Sequence, residues 1–205
     1  MWIYIFGSFV RGEIDSHSDI DMLCVHQVCE SLDLPNNIQI YTIEEVKNIF
    51  LRGDLFAHHL HLESRLIYTS DGTDVLKGLS DPEDYNKWHS DFEKFNNVAQ
   101  YAVDVLQKDG TDIFFKGILY MALRDMSMIY SYKHMGMPNF SKYAPFKLDI
   151  PLNIPRDAYE LLRKCRLAST RGYWNDSLTS VFSTSLCVSI AKWIENMSNW
   201  SKNNA

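Results

Sequence analysis

The chain has 205 residues, 46% of them hydrophobic, enough for one good core or two small ones. Its formal net charge of -6 excludes a protein that coats nucleic acid non-specifically, because such binding needs many Lys and Arg against phosphates; only a local basic pocket is left open. No apolar run is long enough to cross a bilayer and no signal peptide is visible. The cysteines Cys24, Cys29, Cys165 and Cys187 form no C-x-x-C pair, so a reducing, cytoplasmic setting with free thiols is expected.

In chain order, the apolar run at residues 2–6 predicts a short buried strand, and Gly7-Ser8 turns its end into a helix start. Amides at the first turn of a helix point at an anion, Ser8 adds a hydroxyl, and the pair therefore suits a phosphate. Arg11 is either a clamp, whose planar fork holds two phosphate oxygens, or a solvated surface cation. After a polar loop ending at Ser18 comes Asp19-Ile20-Asp21 at the head of a second strand. Period-two alternation puts Asp19 and Asp21 on one face and Ile20 in the core, and two carboxylates a pleat apart can share a divalent metal. Cys24, His26 and Cys29 lack a convincing fourth zinc ligand. Residues 38–41 alternate as a third strand, and Thr42-Ile43-Glu44-Glu45 is a capping box that opens a helix to about Leu51.

A second helix runs from Gly53-Asp54 through His58, His59, His61 and Glu63, and residues 65–69 form a fourth strand. The three histidines share no single face and favour structural or substrate-lining roles over a metal. Arg52 and His58 match the Arg-spacer-His pattern of helical-bundle ribonucleases, but Gly53 and Asp54 interrupt it. A short helix at 74–79 closes a first domain, residues 1–80, and Asp81-Pro82 restarts a helix that opens a bundle, residues 81–205. Tyr85, Trp88, Phe92, Phe95, Ala99, Ala102 and Leu106 recur at helical spacing, a stripe for packing. A second long helix at 112–134 is apolar on nearly every side, so its Arg124, Asp125 and Lys133 stand out; adjacent Arg124 and Asp125 are not expected to face each other. An extended loop at 141–151 could cover a nucleotide. A basic helix opens at Pro155-Arg156 and ends at Arg171-Gly172, and a last helix spans about 176–200.

Taken together, a strand, Gly7-Ser8, Arg11-Gly12, a polar spacer of about ten residues and then Asp19-x-Asp21 on a strand resemble the nucleotidyltransferase superfamily of the DNA polymerase β type. The resemblance implies an α+β fold: a small mixed-sheet nucleotidyltransferase domain followed by a C-terminal helical bundle. Four helices after such a domain resemble the kanamycin and other aminoglycoside nucleotidyltransferases, and also the minimal nucleotidyltransferases of toxin–antitoxin and defence loci. By that resemblance Asp19 and Asp21 hold Mg²⁺, while Gly7, Ser8, Arg11 and Ser18 surround the nucleotide. A lysine of the helical domain contacts the triphosphate, a role that Lys133 fits, and an acid activates the acceptor hydroxyl, a role that Asp125 fits loosely. The family often carries a third carboxylate on the next strand, where this chain has Gln39, which cannot ionise.

The expected activity is Mg²⁺-dependent transfer of an NMP from an NTP, ATP first among them, to an acceptor hydroxyl with release of pyrophosphate. The acceptor is a small molecule, an RNA such as tRNA, or a protein; the macromolecular reading rests on the basic run from Arg163 to Arg171, which is otherwise a solvated helix face with cations near its C-terminus. A homodimer is a reasonable expectation. The alternative is a nucleotide-binding regulatory or toxin–antitoxin/defence module in which Gln39 marks weakened or lost catalysis.

Overall fold

The computed structural model describes residues 1–15, 18–27 and 38–205; Ser16 and His17 of the polar spacer, and the stretch 28–37 with Cys29, lie outside the described residues. The first run of elements is β1 (Trp2–Phe6), β2 (Asp21–His26), β3 (Ile38–Thr42), α1 (Ile43–Leu51), α2 (Leu55–Glu63) and β4 (Arg65–Thr69). The sheet is mixed, in the order β3-β2-β1-β4, with β1 antiparallel to both β2 and β4 and β2 parallel to β3. Residues directly opposite across a ladder share a face. The register Trp2–Val25, Tyr4–Leu23 and Phe6–Asp21 therefore lines up one apolar face that ends in Asp21. Val46, Ile49 and Phe50 of α1 and Ala57 and Leu60 of α2 close over that face to form the core.

The capping box is present as read: Glu45 N donates to Thr42 Oγ1 (3.1 Å) and Thr42 N donates to the Glu45 carboxylate (2.7 Å). Two other expectations are corrected. Ile20 precedes the strand and is 45% exposed, since β2 begins only at Asp21, where pairing with Phe6 starts. Residues 74–79 make a turn rather than a helix. Asp74 accepts from Lys77 N (3.2 Å) as a cap would, but Tyr4 Oη also donates to Asp74 (2.8 Å) and accepts from Leu76 N (3.2 Å), which pins the segment after one turn.

The second set is α3 (Trp88–Lys108), α4 (Ile113–Met135), α5 (Arg156–Arg171) and α6 (Thr184–Asn204), with single 3-10 turns at Ala144–Phe146 and Asp176–Thr179. The helix expected from Asp81-Pro82 starts at Trp88 instead. Residues before it are held on the α1–α2 turn, where Glu83 N donates to the Phe50 carbonyl (3.0 Å) and the His58 ring N–H donates to the Glu83 carbonyl (3.2 Å). Gly53 permits this approach: a Cβ there would lie 2.2 Å from the Glu83 oxygen. The last helix begins at Thr184, capped by Ser183, rather than near residue 176. The 141–151 stretch is not fully extended; it contains the 3-10 turn and buries Ala144, Pro145 and Leu148.

The chain divides into two compact units, Met1–Lys87 with Phe140–Lys142, and Trp88–Asn139 with Tyr143–Ala205. In the second, α4 packs against α3 on one side and α5 on the other, and α6 packs on α3. Gly117 lets α4 and α5 close up, since a Cβ there would meet the Arg166 backbone at 3.0 Å. Lys116 is fully buried, its ammonium donating to the carbonyls of Ser180 (2.7 Å), Leu178 (2.9 Å) and Thr111 (3.4 Å). Among the described residues, no helix is long and apolar enough to cross a membrane, and Cys24, Cys165 and Cys187 are free and buried.

Candidate active site

The turn after β1 is a single helical turn rather than the start of a long helix. Arg11 N donates to the Gly7 carbonyl (3.2 Å), then Gly12 N to Phe9 (3.2 Å) and Glu13 N to Ser8 (2.9 Å). With Gly12 at φ 69°, this is the helix-ending pattern in which a left-handed glycine satisfies the last carbonyls. Because Phe6 pairs with Asp21, this turn adjoins the start of β2.

Gly7 itself is at φ 73° and is buried, with the Asp21 carboxylate packed over it. A Cβ at position 7 would stand 2.5 Å from Asp21 Oδ2. The backbone twist and the missing side chain together make the space into which this acid reaches. Asp19 lies two residues earlier, exposed, on the approach to β2. Gln39 pairs with Leu23, two residues beyond Asp21 on the same face, so β3 presents a neutral amide on the face that carries the acid. Ser18 bonds within its own loop: Asp15 N donates to Ser18 Oγ (2.9 Å) and Ser18 N donates to the Asp15 carbonyl (3.0 Å).

Arg11 sits among carboxylates. Its Nε donates to Glu13 (3.2 Å) and its Nη1 is paired with Glu63 on α2. Glu63 is shared with His59 Nε2 (2.9 Å), and the His59 ring stacks on Phe140 at 4.2 Å with Phe6 edge-on at 5.3 Å. Beside Phe140, Ser141 Oγ donates to Glu13 (2.6 Å), and Lys142 Nζ donates to Asp15 (2.6 Å) and to the Glu13 carbonyl (3.2 Å). The sequence reading passed over Glu63, Glu13 and Lys142 in this setting. The i, i+4 spacing of His59 and Glu63 was a usable signal; the pairing of residues 13–15 with 141–142 had none.

In the helical unit, Asp125 is half-buried on α4. Loss of solvent raises its carboxyl from 3.8 to about 6, with Arg124 and Arg166 pulling the other way. Arg124 Nη1 lies 4.0 Å from Asp125 Oδ1, so these neighbours do meet, against expectation. Lys133, two turns further along, is exposed and holds its ammonium 5.3 Å from the centre of the Trp88 ring. Asp125 and Lys133 are thus engaged with different neighbours.

Asp21 is the carboxylate seated at the turn, while Asp19 precedes β2 and lies outside its alternation. Carboxylate oxygens suit a hard cation, and among the described residues no three His, Cys, Asp or Glu side chains form a closed cage. A divalent ion beside Asp21 would therefore take most of its ligands from water and substrate phosphate, as Mg²⁺ does.

A four-stranded mixed sheet with a glycine turn facing a strand-borne acid, followed by helices, defines a class that comparison makes specific. The family described as Nucleotidyltransferase domain matches residues 2–106, and the chain belongs to that family of nucleotidyl-transferring enzymes. Among solved structures the chain is similar to spectinomycin adenyltransferase from Enterococcus faecialis, crystallised with ATP and spectinomycin. The similarity has 12% identity and a TM-score of 0.46, over 97% of this chain and 91% of that one. No curated protein sequence matches the chain.

Proposed function

We propose that this enzyme transfers an NMP from an NTP, ATP being the first to test, to an acceptor hydroxyl in a Mg²⁺-dependent reaction. The observation that carries the reading is the Asp21 carboxylate seated against the left-handed Gly7 turn. Asp19 and Asp21 would hold the metal, which when bound offsets charge on the triphosphate. Ser8 and the amides of its turn would hold phosphate oxygens, with Ser18 shaping the loop beside them. Lys133 adds a cation for the outer phosphates. The acceptor oxygen forms a bond to the α-phosphorus, the bond to the β-phosphate oxygen breaks, and pyrophosphate leaves. Asp125 is the proposed receiver of the acceptor proton: a carboxyl at about 6 is ionised at neutral pH and basic enough to take it.

Incubation with α-phosphate-labelled NTPs, a panel of small hydroxylated acceptors and cell RNA and protein tests this. Pyrophosphate release with label on one acceptor class is the expected result, and its loss in Asp19→Ala and Asp21→Ala at unchanged thermal stability supports the assignment. A second reading draws on Gln39, which sits on the face of Asp21 without a charge: a module that binds nucleotide and transfers nothing. Calorimetric NTP binding with no labelled product under any acceptor would favour it.

A further inference from the structure

Glu63 is the last residue of α2, where the helix dipole presents its negative end and a carboxylate is the least favourable side chain. Its side chain is nevertheless only 16% exposed and receives two cationic or potentially cationic partners, Arg11 from the glycine turn and His59 from the preceding turn of its own helix. His59 is in turn held flat against Phe140 and edge-on to Phe6, the residue that pairs with Asp21 and precedes Gly7. Arg11 also reaches Glu13, which is fixed by the buried Ser141. The turn that carries Ser8 is therefore tied at one point, Arg11, to a helix and to a distant segment of chain. The donors of this guanidinium are turned to two carboxylates whose charges together outweigh its own, so a phosphate gains little there.

We infer that Glu63 is a positioning residue for nucleotide binding, and that Arg11 acts through Glu63 and Glu13 to fix the Gly7–Ser8 turn rather than by clamping phosphate itself. The inference rests on the nucleotide reading of that turn. An acid kept at the wrong end of a helix is explained by the loop it holds, not by the helix. Its removal should harm binding of nucleotide more than it harms the fold.

The test uses the full chain and the variants Glu63→Gln, Glu63→Asp, Arg11→Ala, Glu63→Ala and the Arg11→Ala/Glu63→Ala pair. Without nucleotide, hydrogen exchange at the amides of Arg11, Gly12 and Glu13 is expected to speed up in Glu63→Gln and return toward parent values in Glu63→Asp. With Mg-ATP, KM is expected to rise about tenfold in Glu63→Gln while kcat stays within about threefold, the pattern of weakened ground-state placement. Melting temperature should stay within about 2 °C of the parent, as expected when the change in stability is below about 1 kcal/mol. The double variant should be no worse than the worse single one, because both substitutions break one link. Effects of Arg11→Ala and Glu63→Ala that multiply, or a tenfold KM rise with unchanged loop exchange, would overturn the inference and give Arg11 a phosphate of its own. If the parent binds no NTP at all, the functional reading falls, while the exchange measurement still decides whether Glu63 holds the turn.

Discussion

Replacing Asp125 by Asn should move stability and activity in opposite directions. The side chain is 17% exposed, and burial lifts its carboxyl from 3.8 to about 6 despite Arg124 and Arg166. At about 1.36 kcal/mol per pH unit, that gap makes the ionised form in the folded chain about 3 kcal/mol costlier than in the unfolded one. The sign follows from which state holds the proton more tightly. A carboxyl whose folded pKa lies above its unfolded one leaves the fold unpenalised below about pH 3.8, weakens it progressively between 3.8 and 6, and imposes the full cost above 6. Asn is neutral throughout, so Asp125→Asn should be more stable than the parent at pH 8 by up to about 3 kcal/mol. At roughly 2–4 °C per kcal/mol for a chain of this size, the variant's Tm at pH 8 rises by several degrees. The advantage should shrink as the pH is lowered toward 5. The same substitution removes the proposed proton receiver and should lower kcat by about 10²–10⁴-fold. Calorimetric melts at pH 5 and pH 8, paired with initial rates at pH 8, read both effects. A Tm difference independent of pH would refute the buried-charge reasoning, and an unchanged kcat would remove Asp125 from the chemistry.

Gly7→Ala must place a Cβ 2.5 Å from Asp21 Oδ2 on a backbone at φ 73°. It should cost about 1–2 kcal/mol of stability from the left-handed conformation alone, and displace the acid, so that turnover falls much further than chemical denaturation would suggest. Lys116→Met leaves three backbone carbonyls without their donor, so denaturant melts should show a loss of about 2–4 kcal/mol. Thr42→Ala removes the side-chain half of the capping box at the start of α1, leaving the backbone N–H at position 42 to donate to Glu45, and should cost about 1 kcal/mol, with no effect on nucleotide affinity.

What the sequence disclosed was local. The apolar run of Trp2–Phe6, the alternation of β3, the Thr42–Glu45 box, and Gly172 as a helix end all act within a few residues, and the elements follow them. Where a distant partner decides, the pattern misleads. Asp74 looks like a helix cap, yet Tyr4, seventy residues away in sequence, captures it. Asp81-Pro82 looks like a helix start, yet Gly53 draws the following carbonyls onto the α1–α2 turn. Ile20 fits a strand period but lies outside the ladder. The acid that faces Gly7 was legible as Asp21, because Gly-Ser and Asp-x-Asp each have a local physical meaning. The surroundings of Arg11 were not, since Glu63, Phe140 and Ser141 come from two other parts of the chain. Lys116 went unmarked for a related reason: its partners are backbone carbonyls, which leave no trace in residue type.

Metal held with nucleotide at the acid beside Gly7 is the claim on which the rest depends, and Mn²⁺ used in place of Mg²⁺ reports on it directly through paramagnetic relaxation of water. The parent should bind Mn²⁺ tightly only when ATP is present, and Asp21→Asn, folded to the same Tm, should lose at least about tenfold in that affinity together with pyrophosphate release. An Asp21→Asn variant that holds Mn-ATP and releases pyrophosphate as the parent does would contradict the account.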